Sequence, residues 1–148
     1  MFFLYSKSCE YAVRVLARAA EEPKGCFGVG KVCRAARVPA HYARKAIERL
    51  ASLGVLEAVR GRGGGYRFVK PVDKITILDL VRAIDGEGAF EQCVMGLPHC
   101  GNSNPCPLHE TWKKVKARYV EELGRKTRAD LVRLRKKSFG LGHGAKKR

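Results

Sequence analysis

The stretch Val59–Phe68, VRGRGGGYRF, constrains the fold of this chain more than any other. It sets arginines among glycines, between a short β-prone run at 55–59 and a second at 66–69. A flexible linker would not pass at once into Tyr66-Arg67-Phe68-Val69, so the two runs read as strands and the glycines as the tip of a hairpin. Glycine permits positive φ and close approach of the backbone to a neighbour, and the arginines make the tip positively charged. A nucleotide-binding loop does not fit, because no Lys-Ser/Thr pair ends the stretch and no helix follows it.

Helical spacing surrounds the hairpin. From Ser8 onward, Tyr11, Ala12, Val15, Leu16 and Ala19 share one face, and the run stops before Pro23. A short helix fits 29–36, with Val29, Val32, Cys33 and Ala36 inward. Pro39 suits the first residue of a third helix, which runs to about Leu53 and is ended by Gly54. Its inner face is Ala43, Ala46, Ile47, Leu50 and Leu53; its outer face is His41, Arg44, Lys45 and Glu48. Thr76 and Asp79 make a capping-box-like start to a fourth helix that ends at Gly86, with Ile77, Leu80, Val81 and Ile84 inward.

Residues 86–107 lose all periodicity and are rich in Gly, Cys, Pro and Asn. A loop of about 20 residues is usually kept only for function. Leu108, Trp112, Val115, Tyr119 and Leu123 then form a narrow seam on a long helix, suited to another helix, which Gly124 stops. Thr127 and Asp130 start a short helix through Leu134. Two short helices, a tight turn, a third helix with a polar outer face and a hairpin make a winged helix-turn-helix. The expected fold is mainly α with a small β-hairpin wing and a long additional helix. Residues 1–86 form the DNA-binding domain, 87–107 a cysteine-rich loop, 108–137 the long helix and a short C-terminal helix, and 138–148 a basic disordered tail.

Charge supplies the partner. Lys and Arg number 30 against 14 Asp and Glu, a net +16, and such a field attracts polyanions, nucleic acid first. In the major groove His41, Arg44 and Lys45 would reach base edges or phosphates, and Tyr42 would meet backbone or a thymine methyl. Arg60 and Arg62 would reach the adjacent minor groove, with Gly63 and Gly64 allowing close approach to the phosphate backbone. The plainer alternative is that the glycines only make the turn and the arginines are solvated. No apolar run approaches the ~20 residues needed to cross a bilayer, and the apolar lead-in Met1–Tyr5 lacks a basic n-region and a cleavage site. The expectation is a cytoplasmic chain with no membrane partner, its six cysteines reduced.

The stretch CVMGLPHCGNSNPCPLH spaces Cys93, Cys100, Cys106 and His109 as C-x6-C-x5-C-x2-H. Three soft thiolates and an imidazole can converge on one metal centre, and spacing alone leaves zinc and iron–sulfur both open. No positioned general base or Gly-rich cofactor fingerprint accompanies the thiols, so the chain does not read as an enzyme.

Through CEYAVRVLARAA, HYARKAIERLASLGVLEAVRGRGGGYRF and KITILDLVRAIDG the chain resembles the winged-helix regulators of the IscR/NsrR type, the Rrf2 family. The wing pattern Arg60-Gly61-x-Gly63-Gly64-Gly65-Tyr66 is its most specific part, and the likeness spans nearly everything but the tail. The chain departs from the pattern at Arg37, where the turn often carries glycine, and at Gly28, where Ser or Thr would cap the second helix. The resemblance implies a homodimeric transcription regulator, repressor or activator, with the long helix as dimer arm and a pseudo-palindromic double-stranded DNA operator. It implies that Cys93, Cys100 and Cys106 hold an iron–sulfur cluster, 2Fe-2S or 4Fe-4S, that senses cluster supply, nitric oxide or redox state. The first gap is six residues here where well-known members have five, which leaves cluster type open. His109 matches the family variant with histidine as fourth ligand. Another variant takes a carboxylate from the partner's first helix, where Glu10 stands with Cys9 beside it; His99 is a weaker candidate. The alternative function is a zinc-stabilised or metal-free constitutive nucleic-acid-binding protein.

Overall fold

A computed structural model of the chain describes residues 4–22, 25–131 and 133. Helix α1 (Lys7–Ala19) starts at Ser6, whose hydroxyl accepts the Cys9 N–H at 3.1 Å. Its apolar stripe of Cys9, Ala12, Val15, Leu16 and Ala19 is buried. Helices α2 (Val29–Ala36), α3 (Ala40–Ser52) and α4 (Ile77–Asp85) pack with it around Leu16, Ile47, Leu50 and Leu80, none of which retains any exposure. Burying one such side chain contributes about 1.5–3 kcal/mol, so this cluster anchors the domain. The capping box expected at Thr76 and Asp79 is present, with both reciprocal bonds made.

The α2–α3 turn shows what the missing glycine means. Arg37 adopts the left-handed conformation at φ 55°, the one non-glycine residue among those described to do so. That conformation costs a non-glycine residue about 1–2 kcal/mol. Burial of the next residue, Val38, and its N–H bond to the Cys33 carbonyl at 3.0 Å offset the cost. Gly28 caps α2 without a side-chain bond. Pro39 is the extended cap before α3 (ψ 123°) rather than its first residue, because the sharp entry from the turn needs non-helical backbone there. Leu53 is not on the inner face: α3 closes at Ser52, and Leu53 follows the last turn with 56% of its surface exposed.

Strands β2 (Leu56–Val59) and β3 (Gly65–Phe68) form the expected hairpin, with Leu56 opposite Phe68 and Val59 opposite Gly65. A further strand, β1 (Cys26–Phe27), pairs antiparallel with the other edge of β3, giving the order β1-β3-β2. Two residues are too few to show strand periodicity in the sequence, so β1 was invisible there. Phe27 fills the space beneath the sheet, its ring 6.0 Å from Phe68 and 6.4 Å from Tyr66.

This third strand explains Gly65, and the closure of the hairpin explains Gly64. A Cβ on Gly65 would stand 2.2 Å from the Phe27 carbonyl oxygen, and one on Gly64 2.2 Å from that of Val59. Both contacts are with backbone, which cannot swing away. Gly65→Ala should therefore prise β1 from β3 and cost about 1–3 kcal/mol, as overpacking does. Denaturant unfolding beside Gly30→Ala checks this. Gly30 sits in α2 with only the Arg34 side chain near, at 3.6 Å, and its replacement should leave stability unchanged or higher. Equal stability of the two variants would refute the packing account.

Helix α5 (His109–Arg125) runs one residue past Gly124, which lies against Leu78 with room for ordinary contact and so does not break it. The chain then turns back onto the winged domain. The Ile77 N–H donates to the Lys126 carbonyl and the Arg128 N–H to the Ile75 carbonyl, each at 2.8 Å. The Asp130 carboxylate accepts the Thr127 N–H and hydroxyl, which hold it below the usual carboxylate range. Residues 128–131 are helical, as the Thr127–Asp130 start predicts. The helix end at Leu134, the tail at 138–148 and Met1–Phe3 lie outside the described residues. Arg128 is buried, although nothing in the sequence sets it apart from the surface arginines. Its guanidinium stands 3.2 Å from the centre of the Phe68 ring, and its Nε donates to the Leu16 carbonyl at 3.3 Å. Burial lowers its pKa to about 10, which leaves it charged at neutral pH. Among the described residues no helix is long and apolar enough to cross a membrane.

Candidate metal centre and nucleic-acid interface

Alternation of apolar and polar residues along α3 presents one face to the core and His41, Tyr42, Arg44, Lys45 and Glu48 to the outside. Tyr42 is held between neighbours: its ring lies 4.2 Å from His41 and 5.5 Å from Tyr11. Lys7 and Arg14 stand over the far ring at 5.2 and 5.9 Å, which extends the basic surface onto α1. At the wing, Arg60, Arg62 and Gly63 are exposed, and Gly64 is half-buried in the hairpin's own closure. Among the described residues, Arg44, Lys45, Arg60 and Arg62 have no acidic partner within ion-pair reach, whereas Arg67 pairs with Glu57 across the strands. Sequence could not separate these classes of arginine, since pairing depends on strand register. Unpaired exposed cations on one helix face and one tip suit a polyanion.

The cysteine loop follows α4 and a 3-10 turn at Glu87–Phe90. Its glycines and prolines let it fold back in short turns. The Gly96 N–H reaches the Cys93 carbonyl at 2.9 Å, and Gly101 and Asn104 exchange backbone bonds at 3.3 and 3.1 Å. The Trp112 indole donates to the Gln92 carbonyl at 3.0 Å and ties the start of the loop to α5. These turns bring the sulfurs of Cys93, Cys100 and Cys106 within 4.8 Å of one another, from positions six and five residues apart. Cys93 and Cys106 are 3.7 Å apart. His109, in the first turn of α5, stands at the edge of this group, its Nδ1 3.3 Å from the Cys100 sulfur.

The electrostatics favour a thiolate. The Leu97 backbone N–H, with that of Met95, draws the Cys93 thiol down to about 7. The Cys106 N–H pulls Cys100 the same way, but burial and the neighbouring thiols leave its pKa raised overall. One thiol thus ionises readily at neutral pH, and the next does so once a cation shares the site. The donor set of three sulfurs and an imidazole, in an open cleft also lined by Trp112 and Lys113, fits a soft metal centre.

The other candidates fall elsewhere. Cys9 is fully buried against Ile77 and Val81, with its pKa pushed up to about 12, so its thiol is not presented to a partner molecule. Glu10 is partly exposed on α1 and ion-paired with Lys7 at 2.7 Å. His99 is exposed in the loop, and Cys33 is a buried core residue. Cys26, given no role from sequence, lies on β1 with its sulfur 3.8 Å from the Gly63 carbonyl. The α5 seam is divided. Leu123 packs on the α4 cluster and Tyr119 meets Phe90 edge-on at 6.4 Å, while Leu108 and Val115 stay about half exposed. Asn102, which bonds His109 Nε2 at 3.2 Å, gave no signal in the sequence, because a lone Asn in a loop reads as a turn residue.

Comparison with known proteins agrees with this architecture. A family model named Rrf2 and described as an iron-dependent transcriptional regulator matches residues 5–134. The chain is 36% identical to the HTH-type transcriptional repressor NsrR of Streptomyces coelicolor over 108 residues, 70% of this chain and 66% of that one. Among solved structures, CymR, the global cysteine regulator of B. subtilis, superposes with a TM-score of 0.70 at 22% identity, covering 90% of this chain and 98% of that one. IscR of T. potens superposes at 0.67, also at 22% identity, over 86% and 85% of the two chains.

Proposed function

The chain belongs to the Rrf2 family of transcriptional regulators, and we propose that it works as a homodimer on a pseudo-palindromic DNA operator under the control of an iron–sulfur cluster in its cysteine loop. One observation carries the reading: three thiols converge within 4.8 Å in a loop that joins the winged domain to an unburied helix. A cluster bound there supplies a centre responsive to redox state, nitric oxide and iron supply. Cys93, Cys100 and Cys106 hold it, with His109 as fourth ligand or Glu10 of the partner subunit in that place. The exposed Leu108 and Val115 support α5 as the dimer arm: Tyr119 and Leu123 pack on Phe90 and the α4 cluster, while these two leave part of the apolar seam uncovered by the described residues. Two such subunits would set recognition helices into major grooves one turn apart and wings into the neighbouring minor grooves. His41, Tyr42, Arg44 and Lys45 would read or grip the first, and Arg60 and Arg62, with Gly63 and Gly64, the second. A reducing cytoplasm suits the free thiols.

A structural zinc site is the second reading, because all three sulfurs lie within 4.8 Å of one another, close enough to share a single tetrahedral ion. Two thiolates about 2.3 Å from one tetrahedral ion stand about 3.8 Å apart, and Cys93 and Cys106 are separated by 3.7 Å. Anaerobic purification of the full chain, with iron, zinc and sulfide assays, tests both. Iron with inorganic sulfide, visible absorbance and operator affinity that changes on cluster loss support the sensor. Zinc alone, with affinity indifferent to iron supply, overturns it.

A further inference from the structure

We propose that Asn102 is a positioning residue that fixes the tautomer of His109, so that the imidazole meets the metal centre through Nδ1. The inference rests on the metal-centre reading above and on the contacts of a single oxygen. Asn102 Oδ1 lies 3.2 Å from His109 Nε2 and 3.4 Å from Lys113 Nζ. A lysine ammonium has only donors, so the amide atom it faces is the oxygen and not the amide nitrogen. An acceptor oxygen opposite Nε2 requires Nε2 to carry the ring hydrogen. In a neutral imidazole the other nitrogen is then bare. That bare lone pair on Nδ1 faces the Cys100 sulfur at 3.3 Å.

The local fold sets this up. His109 and Lys113 are four residues apart on α5, so ring and ammonium rise from the same face of the helix. The paired backbone bonds between Gly101 and Asn104 form the tight turn that lifts Asn102 toward them. Lys113 does two things at once: it orients the amide, and it places a positive charge beside a site that gathers thiolates. Partners of this kind, one shell out from a metal-binding histidine, hold the ring and raise its basicity, and their loss costs about 10–100-fold in metal affinity.

The test uses the full chain. Nitrogen NMR of the metal-free protein should find the His109 hydrogen on Nε2; a hydrogen on Nδ1 overturns the proposal. Chelator competition with cobalt(II) or zinc(II) alone then measures affinity. Asn102→Ala should weaken it about 10–100-fold, and Asn102→Asp, which keeps an acceptor, should recover most of the loss. In a His109→Ala background, Asn102→Ala should add almost nothing, because its effect passes through the ring. An equal loss in that background, or no loss in either, overturns the proposal. A parent chain that takes up no metal defeats the metal-centre reading instead, and the tautomer measurement still judges this inference by itself.

Discussion

On the cluster reading, Cys100→Ser should yield a folded chain that accumulates no iron or sulfide and shows no visible absorbance. The Cys100 sulfur links the loop to the imidazole: it accepts the Cys106 N–H at 3.4 Å and lies 3.3 Å from His109 Nδ1. A serine hydroxyl does not ionise at neutral pH and is a hard oxygen donor, so it does not replace a thiolate toward iron or zinc. Changes one shell out cost about 10–100-fold in affinity, so loss of a ligand itself should exceed about 100-fold. The fold should survive, because Cys100 belongs to neither apolar cluster of the core. Circular dichroism and thermal unfolding of the metal-free forms should therefore match the parent. Cys9→Ser supplies the opposite pattern: a hydroxyl buried at a fully enclosed position lowers stability, by about 1–3 kcal/mol if left unbonded. A Cys100→Ser chain that keeps its spectrum removes Cys100 from the ligand set.

The helices of the winged domain were legible because each carries a stripe at helical spacing with a start or stop signal at its edge. Thr76 with Asp79 and Gly86 with its positive φ behave as their chemistry dictates. The hairpin was legible for the same reason, its glycines falling between two β-prone runs. What escaped is what depends on distant partners. Strand β1 has two residues and exists only because β3 offers it an edge. Leu53 misses the inner face by a single step, a precision that helical periodicity does not have. Arg128 carries the same letter as the surface arginines, and only the fold shows it enclosed against Phe68 and Leu16. In the loop, sequence supplied the ligand types but not their distances, which are set by turns at Gly96 and Gly101–Asn104.

These unread contacts matter for how a loop could govern a distant helix. The start of the cysteine loop is fastened twice, through Gln92 to Trp112 of α5 and through Phe90 to Tyr119 and the α4 cluster, and its other end runs directly into α5. The chain just past α5 is stitched to Ile75 and to Ile77, the first residue of α4, and Arg128 leans from there onto Phe68 of β3, the return strand of the wing. A change in loop geometry that shifts α5 against α4 thus bears on the strand that carries the wing, in packed elements that move as units.

The double variant Arg60→Ala with Arg62→Ala tests the wing itself. Both side chains are exposed and, among the described residues, without an acidic partner, so their charge is fully available to DNA. Each groove or phosphate contact by an arginine contributes about 1–3 kcal/mol where it reads a base and somewhat less where it meets only phosphate. Together their loss should weaken operator binding about 10–100-fold at moderate salt. The slope of log affinity against log salt should fall by about 0.9 for each phosphate contact removed. Metal content should match the parent, because neither residue belongs to the cysteine loop. Arg67→Ala is the matched control. It removes the same charge from the adjoining strand, but Glu57 already pairs with it, so affinity should change far less. Arg44→Ala on α3 should differ in kind, narrowing the gap between operator and random DNA, whereas a wing that meets only phosphate weakens both alike. If the double variant binds its operator as the parent does, with an unchanged salt slope, the glycine-rich tip serves only to close the hairpin and its arginines are solvated.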